Sequence, residues 1–169
     1  MAKSLESDGL PNLKDDVLDK EVFKKLQDDI TFNTFPWYYQ DFIAYEDPSE
    51  KGSFFTHLLY SHHSPNSPHF SLMEPILDIL NPKSLIRIKA NLYMPTLKLT
   101  YHPFHSDFSY PHKTAIFSIN TNDGMTMLED KIEVKSIENR LFIFDGSHPH
   151  RSTSCTDKKY RMNISFNYF

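Results

Sequence analysis

The stretch Leu85-Ile86-Arg87-Ile88-Lys89-Ala90-Asn91-Leu92-Tyr93-Met94 alternates with period two. Ile88, Ala90, Leu92 and Met94 fall on one side, and Arg87, Lys89, Asn91 and Tyr93 on the other, because successive side chains of a strand point to opposite faces. Residues 160–168 repeat the pattern: Arg161, Asn163, Ser165 and Asn167 oppose Met162, Ile164, Phe166 and Tyr168. Such alternation has two physical causes. A sheet with one wet outer face is the commoner, and a barrel enclosing a polar cavity is the other.

Between these two segments, residues 114–119, 125–128, 132–134 and 140–144 read as further strands. Asn122-Asp123-Gly124 and Asp145-Gly146 give tight-turn signals between them. Many short strands separated by turns predict a mainly β jelly roll. Upstream, Val22, Phe23, Leu26 and Ile30 recur at helical spacing and predict a helix over 19–30. Phe35-Pro36-Trp37-Tyr38-Tyr39 opens a short strand running to residue 45. Residues 46–69, rich in Pro, Ser, His and Asp, read as a long loop with a short segment at 54–59. Such a loop would cover a barrel mouth as a lid. A second helix over 70–80 stops at Asn81-Pro82. The first dozen residues are polar and read as loose. The chain is expected to form one domain, with helical and loop support over 1–83 and a β core over 84–169.

Composition narrows the function. The 169 residues include 18 Lys and Arg against 22 Asp and Glu, a net charge of −4. A mildly acidic chain lacks the basic stripe that nucleic-acid binding needs, so no nucleic-acid partner is expected. No apolar run reaches the length of a membrane helix, and the start shows no secretory signal. Cys155 is the lone cysteine; it excludes an internal disulfide and a multi-cysteine zinc site and fits a cytoplasmic setting. Its polar surroundings have no nucleophile-elbow pattern. With 4 glycines and no GxGxxG or GxxxxGK[ST], no phosphate loop is expected. The 14 Phe, 9 Tyr and 1 Trp favour a packed β core.

The nine histidines offer chemistry. In His105-Ser106-Asp107, residues i and i+2 of an extended segment share a side, with Cα atoms roughly 6.6 Å apart. They can converge on one metal. A histidine from a distant strand, within His148-Pro149-His150-Arg151, would complete a two-histidine, one-carboxylate triangle with open positions, the pattern of non-heme Fe(II) oxygenases. Arg161 follows on the polar face of the next strand, where a guanidinium forks onto a carboxylate. His62-His63 and His69 read as solvated loop residues, and His102 and His112 as neighbours of the HxD segment, His112 at the surface.

HxD, a distal His and a downstream Arg resemble the 2-oxoglutarate/Fe(II)-dependent dioxygenases, nearest the prolyl 4-hydroxylase-like branch. The stretches Arg87-Ile88-Lys89-Ala90-Asn91-Leu92, Asn120-Thr121-Asn122-Asp123-Gly124, Glu138-Asn139-Arg140-Leu141 and Phe144-Asp145-Gly146-Ser147 are similar to small oxygenase-like proteins of bacteriophages. The resemblance covers about residues 84–168. It implies a double-stranded, cupin-like β-helix with flanking helices and Fe(II) in its mouth. It implies 2-oxoglutarate as co-substrate, consumed with O2 to give succinate and CO2 while a main substrate, peptidyl, prolyl or other, is hydroxylated. Carried over by position, His105 and Asp107 are metal ligands. His150, which follows Pro149 and leaves the usual interval to Arg161, is the third, with His148 as runner-up. Arg161 would hold the distal carboxylate. Asn163 stands where the family often has Ser or Thr, and Asn91 and Tyr93 would line the pocket. Beyond the metal ligands no catalytic residue is implied. The expected assembly is a monomer or dimer in a bacterial cytosol. Two rival readings remain: a β-helix binding module without turnover, and a cupin-like metalloenzyme using His148 and His150 without 2-oxoglutarate, in which Arg161 has no role.

Overall fold

The computed structural model describes residues 10–32, 34–43 and 52–169. Its eleven strands are β1 (Asn12–Lys14), β2 (Tyr38–Gln40), β3 (Phe54–Ser61), β4 (Ser64–Pro65), β5 (Leu85–Tyr93), β6 (Lys113–Ser118), β7 (Met125–Leu128), β8 (Glu133–Lys135), β9 (Arg140–Asp145), β10 (His150–Ser152) and β11 (Arg161–Tyr168). Helix α1 spans Lys20–Thr31, and a 3-10 segment, Pro68–Met73, leads into α2, Glu74–Leu80.

The large sheet runs β1-β9-β6-β11-β5-β3-β2, with β4 paired to β3. The small sheet is β10-β7-β8. Bridges from Tyr101 to Thr153 and from His105 to His150 add an extended segment along β10. From β5 onward the chain passes repeatedly between the sheets: large at β5, small at 101–105, large at β6, small at β7 and β8, large at β9, small at β10, large at β11. This is the winding of a double-stranded β-helix, a jelly roll of the cupin type.

The alternation in β5 and β11 decides where the core sits. Ile88, Ala90, Met162, Ile164 and Phe166 belong to the main apolar cluster, together with Phe23, Leu26 and Ile30 of α1 and Ile76 of α2. The helices therefore cover one face of the large sheet. Phe117 of β6 is fully buried there, edge-on to Phe23 with ring centroids 6.0 Å apart. The opposite face carries Arg87, Lys89, Asn91, Tyr93, Arg161, Asn163, Ser165 and Asn167 toward the small sheet. All eight residues of β11 are buried. The polar stripe thus lines an interior, and the commoner cause, a wet outer face, does not apply here. A smaller apolar cluster of Ile116, Leu128, Phe142 and Phe144 fills the rest of the space between the sheets.

Several expectations for the first half change. The short segment expected at 54–59 is an eight-residue strand over 54–61, hydrogen-bonded between β2 and β5. Its run Phe-Phe-Thr-His-Leu-Leu-Tyr has strand propensity that the flanking Pro, Ser and His residues obscure. A strand held on both sides is no lid; residues 46–51 of the expected lid lie outside the described residues. The strand expected over 35–45 is confined to Tyr38–Gln40, with residues 44 and 45 outside the described ones. The helix expected over 70–80 begins as a 3-10 segment, capped by the Ser67 hydroxyl. It ends at Asn81 in the left-handed region, before Pro82. Asn12, at the end of the first dozen residues expected to be loose, begins an edge strand, Asn12–Lys14, on β9. The support region 1–83 thus carries four strands besides its helices. Val22, expected on the buried face of α1, is 41% exposed.

Candidate metal centre

His105 and His150 meet because their backbones pair. Each amide donates to the other's carbonyl at 2.9 Å, and the two imidazoles lie 4.6 Å apart by centroid. Asp107, two residues on, returns to the same side. One ligand atom from each of His105, Asp107 and His150 lies within 4.8 Å of the others. His148 is exposed in the turn after β9, its amide bonded to the Asp145 carbonyl, and stands outside this cluster. The Asp145 carboxylate accepts from the Ser147 amide at 2.9 Å and its hydroxyl at 2.6 Å, holding that turn.

The carboxylate of Asp107 is held in its charged form. Burial works against the charge, but the Arg87 guanidinium, His150 and the Asn167 amide outweigh it and hold the group well below the usual carboxylate range. Arg87 Nη2 lies 2.5 Å from Oδ1 as an ion pair. Asn167 Nδ2 donates to Oδ2 at 2.9 Å. Burial lowers His150 to about 4, so its ring is neutral near pH 7 and able to ligate. Neither Arg87 nor Asn167 carries a role in the sequence reading. The signal that finds them is their place on the same inner stripes as Asn91 and Arg161.

Arg161 lies deeper, 1% exposed. Its Nε donates to Ser136 Oγ at 2.8 Å, Nη1 to the Thr153 carbonyl at 3.2 Å and Nη2 to Thr126 Oγ1 at 3.1 Å. Tyr93 stacks over it, 5.3 Å from ring centroid to guanidinium carbon. Among the described residues no carboxylate pairs with it. A buried guanidinium held only by neutral oxygens is a cation awaiting an anion. Gly124 makes room for it: a Cβ there would come within 2.5 Å of Arg161 Cδ and 2.6 Å of the Ser154 carbonyl. The glycine expected to make a turn serves a close approach instead, and its φ is not positive.

Against the His-Asp-His cluster lies an inner cavity of about 40 Å³, whose lining includes Asn91, Tyr93, Thr126, Ser152 and Asn163; Tyr93 and Thr126 also touch Arg161. Asn91 Nδ2 donates to Asn163 Oδ1 at 3.0 Å, while Asn91 Oδ1 is buried with no partner. Beyond the cluster an outer groove of about 820 Å³ opens toward β3 and the β3–β4 turn. His62 and His63 line this groove. His102 is buried, bonded to Ser152 Oγ at 2.8 Å and stacked on Tyr93; burial lowers it to about 3. His112, expected at the surface, is 6% exposed and packs beside Asn167 and Thr114.

No protein-family model and no curated protein matches the sequence. Solved structures do match in shape. One is the non-heme alpha-ketoglutarate-dependent epimerase SnoN from nogalamycin biosynthesis, with TM-score 0.65, 12% identity, and 94% of this chain and 77% of that one covered. Another is a Trichoplax adhaerens prolyl hydroxylase in complex with a hypoxia inducible factor peptide fragment, with TM-score 0.58, 13% identity, and coverage of 94% and 83%. A Pseudomonas putida prolyl-4-hydroxylase matches with TM-score 0.57, 10% identity, and coverage of 94% and 91%. The fold is that of the 2OG-Fe(II) oxygenases. At these identities the likeness is one of fold, and the chemistry of this chain rests on its own side chains.

The side chains fit the groups that such oxygenases use. Two imidazoles and one carboxylate suit Fe(II) and leave positions open. The buried Arg161, with no acidic partner among the described residues, suits a small anion.

Proposed function

We propose that the chain is an Fe(II)- and 2-oxoglutarate-dependent dioxygenase that hydroxylates its main substrate with release of succinate and CO2. The convergence of His105, Asp107 and His150 within 4.8 Å, at the mouth of a barrel whose depth holds Arg161 unpaired with any described acid, carries the reading. His105, Asp107 and His150 would hold the iron and Arg161 the distal carboxylate, with Asn91, Tyr93 and Asn163 lining the co-substrate pocket. Bound together, Fe(II), 2-oxoglutarate and O2 supply the oxidising power.

The protein's part is charge, orientation and exclusion of water. Arg87 and Asn167 keep Asp107 ionised and aimed. The His105–His150 backbone bridge sets the separation of the two imidazoles. Ser136, Thr126 and the Thr153 carbonyl fix the Arg161 guanidinium before any ligand arrives, so little ordering is left to be done on binding. Tyr93, sandwiched between Phe54 at 5.4 Å and His102 at 5.2 Å, seals the inner cavity from the flank. Two of the matched structures are prolyl hydroxylases, one holding a peptide; they support a peptidyl main substrate, with a prolyl residue the first to test. Buried, unpaired Cys155 is consistent with work in a reducing cytosol.

Anaerobic titration with Fe(II) and then 2-oxoglutarate tests the reading. The expected result is a visible metal-to-ligand charge-transfer band, absent in Asp107→Ala. A folded, iron-loaded protein without the band would exclude 2-oxoglutarate. Arg161→Ala should abolish 2-oxoglutarate turnover; a variant that retains it would favour a cupin-like metalloenzyme.

A further inference from the structure

The inner face of β5 presents Arg87, Lys89, Asn91 and Tyr93 in order along one line. Asn91 and Tyr93 border only the inner cavity, and Arg87 only the outer groove, whereas Lys89 borders both. Tyr93 marks the deep end, against Arg161. Lys89 therefore stands at the junction, beside His105 and Asp107, on the side open to the groove. At ~6.6 Å per two residues of strand, Lys89 and Tyr93 are roughly 13 Å apart along β5.

Arg87 already spends its charge on Asp107. Lys89 forms no ion pair among the described residues; its ammonium rests over the Phe54 ring at 5.6 Å. The described lining of the groove contains one acid, Asp107, against two cations, Arg87 and Lys89, and its walls include Phe42, Leu58, Phe108 and Phe169. Among the described residues Asp107 attracts Lys89 without forming a salt bridge with it, and a cation facing apolar walls in this way fits a ligand that brings an anion into contact.

We propose that Lys89 is a specificity-determining residue that receives a carboxylate or phosphate of the main substrate, whose apolar body lies along the outer groove. This rests on the oxygenase reading, because it takes the inner cavity to be filled by 2-oxoglutarate.

The test uses protein loaded with Mn(II) and 2-oxoglutarate, which occupies Arg161. Two matched probe pairs are titrated, hexanoate with hexanamide and phenyl phosphate with phenol, and proton relaxation enhancement by Mn(II) reports binding near the metal. At least one anion should bind about tenfold or more tightly than its neutral partner, as one charge-assisted contact provides; which pair discriminates separates carboxylate from phosphate. Lys89→Met and Lys89→Gln should erase the preference, and Lys89→Arg should restore it. The Kd of 2-oxoglutarate should stay within about twofold in all three, since no contact to it is lost. Equal binding of anion and neutral partner, or a preference that survives in Lys89→Met and Lys89→Gln, overturns the proposal. Loss of 2-oxoglutarate affinity in these variants overturns it by assigning Lys89 to the co-substrate. A wild type that binds neither Mn(II) nor 2-oxoglutarate overturns the oxygenase reading itself.

Discussion

His148 and His150 differ by two positions and share a side on any extended segment, yet one is exposed in a turn and the other buried in a ladder. Only the His105–His150 bridge separates them. His150→Ala should therefore lower Mn(II) affinity by at least about tenfold, whereas His148→Ala should leave it within about twofold, measured by calorimetry. Gly124 is a second case. A Cβ there meets the Arg161 side chain and the Ser154 carbonyl at 2.5 and 2.6 Å. Gly124→Ala should cost about 1–3 kcal/mol in denaturant unfolding, the usual effect of overpacking. It should weaken 2-oxoglutarate binding in parallel, because the atom displaced belongs to Arg161.

At the scale of elements, the helices exist to cover the apolar face of the large sheet. Lys24–Asp28 and Lys25–Asp29 pairs at 2.6 Å decorate the exposed side of α1 and contribute only a few tenths of a kcal/mol each. Burial of Phe23, Leu26 and Ile30 carries the docking. Phe117→Ala, beneath Phe23, should cost about 3–5 kcal/mol by chemical denaturation. The edge strand β1 is held differently. Arg140 donates from Nε and Nη2 to the two Asp15 oxygens at 2.5 and 2.8 Å. That hydrogen bond, with the attraction of Arg140, holds Asp15 below its ordinary value against a smaller opposing effect of burial. A carboxyl lowered on folding adds stability above its unfolded pKa and loses it as pH falls through the folded value. With Asp15 51% exposed the pair is screened and contributes about 0.2–1 kcal/mol. Asp15→Asn should remove that increment at pH 7 and have a shrinking effect as pH falls below the ordinary carboxylate range and through the lowered folded value.

Across the whole molecule, the polar faces of β5 and β11 are buried between two sheets, at a cost that the helix-covered core offsets. A cation such as Arg161 at the centre of that interior leaves the fold open to stabilisation by an anion. Mn(II) with 2-oxoglutarate, each at about 100 times its Kd, should add about 2.7 kcal/mol per ligand. For a domain of this size that raises Tm by roughly 5–10 °C per ligand in a thermal scan. In Arg161→Met the increment from 2-oxoglutarate should vanish and the one from Mn(II) remain.

Period-two alternation in β5 and β11, the run of short strands and the i, i+2 pair His105 and Asp107 are local properties that follow from strand geometry and residue chemistry, and they were legible in the chain. His150 and Arg161 were legible only through the resemblance to a family, because strand geometry alone leaves His148 and His150 on one side. The strand at 54–61 was legible only as a short segment within a loop, because its partners β2 and β5 are distant in sequence and its flanks carry loop-like composition. The roles of Arg87, Asn167 and Lys89 were not legible, because they depend on what lies across the cavity. Alternation says that one face is polar. It does not say whether that face meets water or a second sheet, because both satisfy polar groups equally well until the chain has folded. Only the winding of the strands between the two sheets made that choice, and with it turned a polar stripe into an interior and two histidines into neighbours.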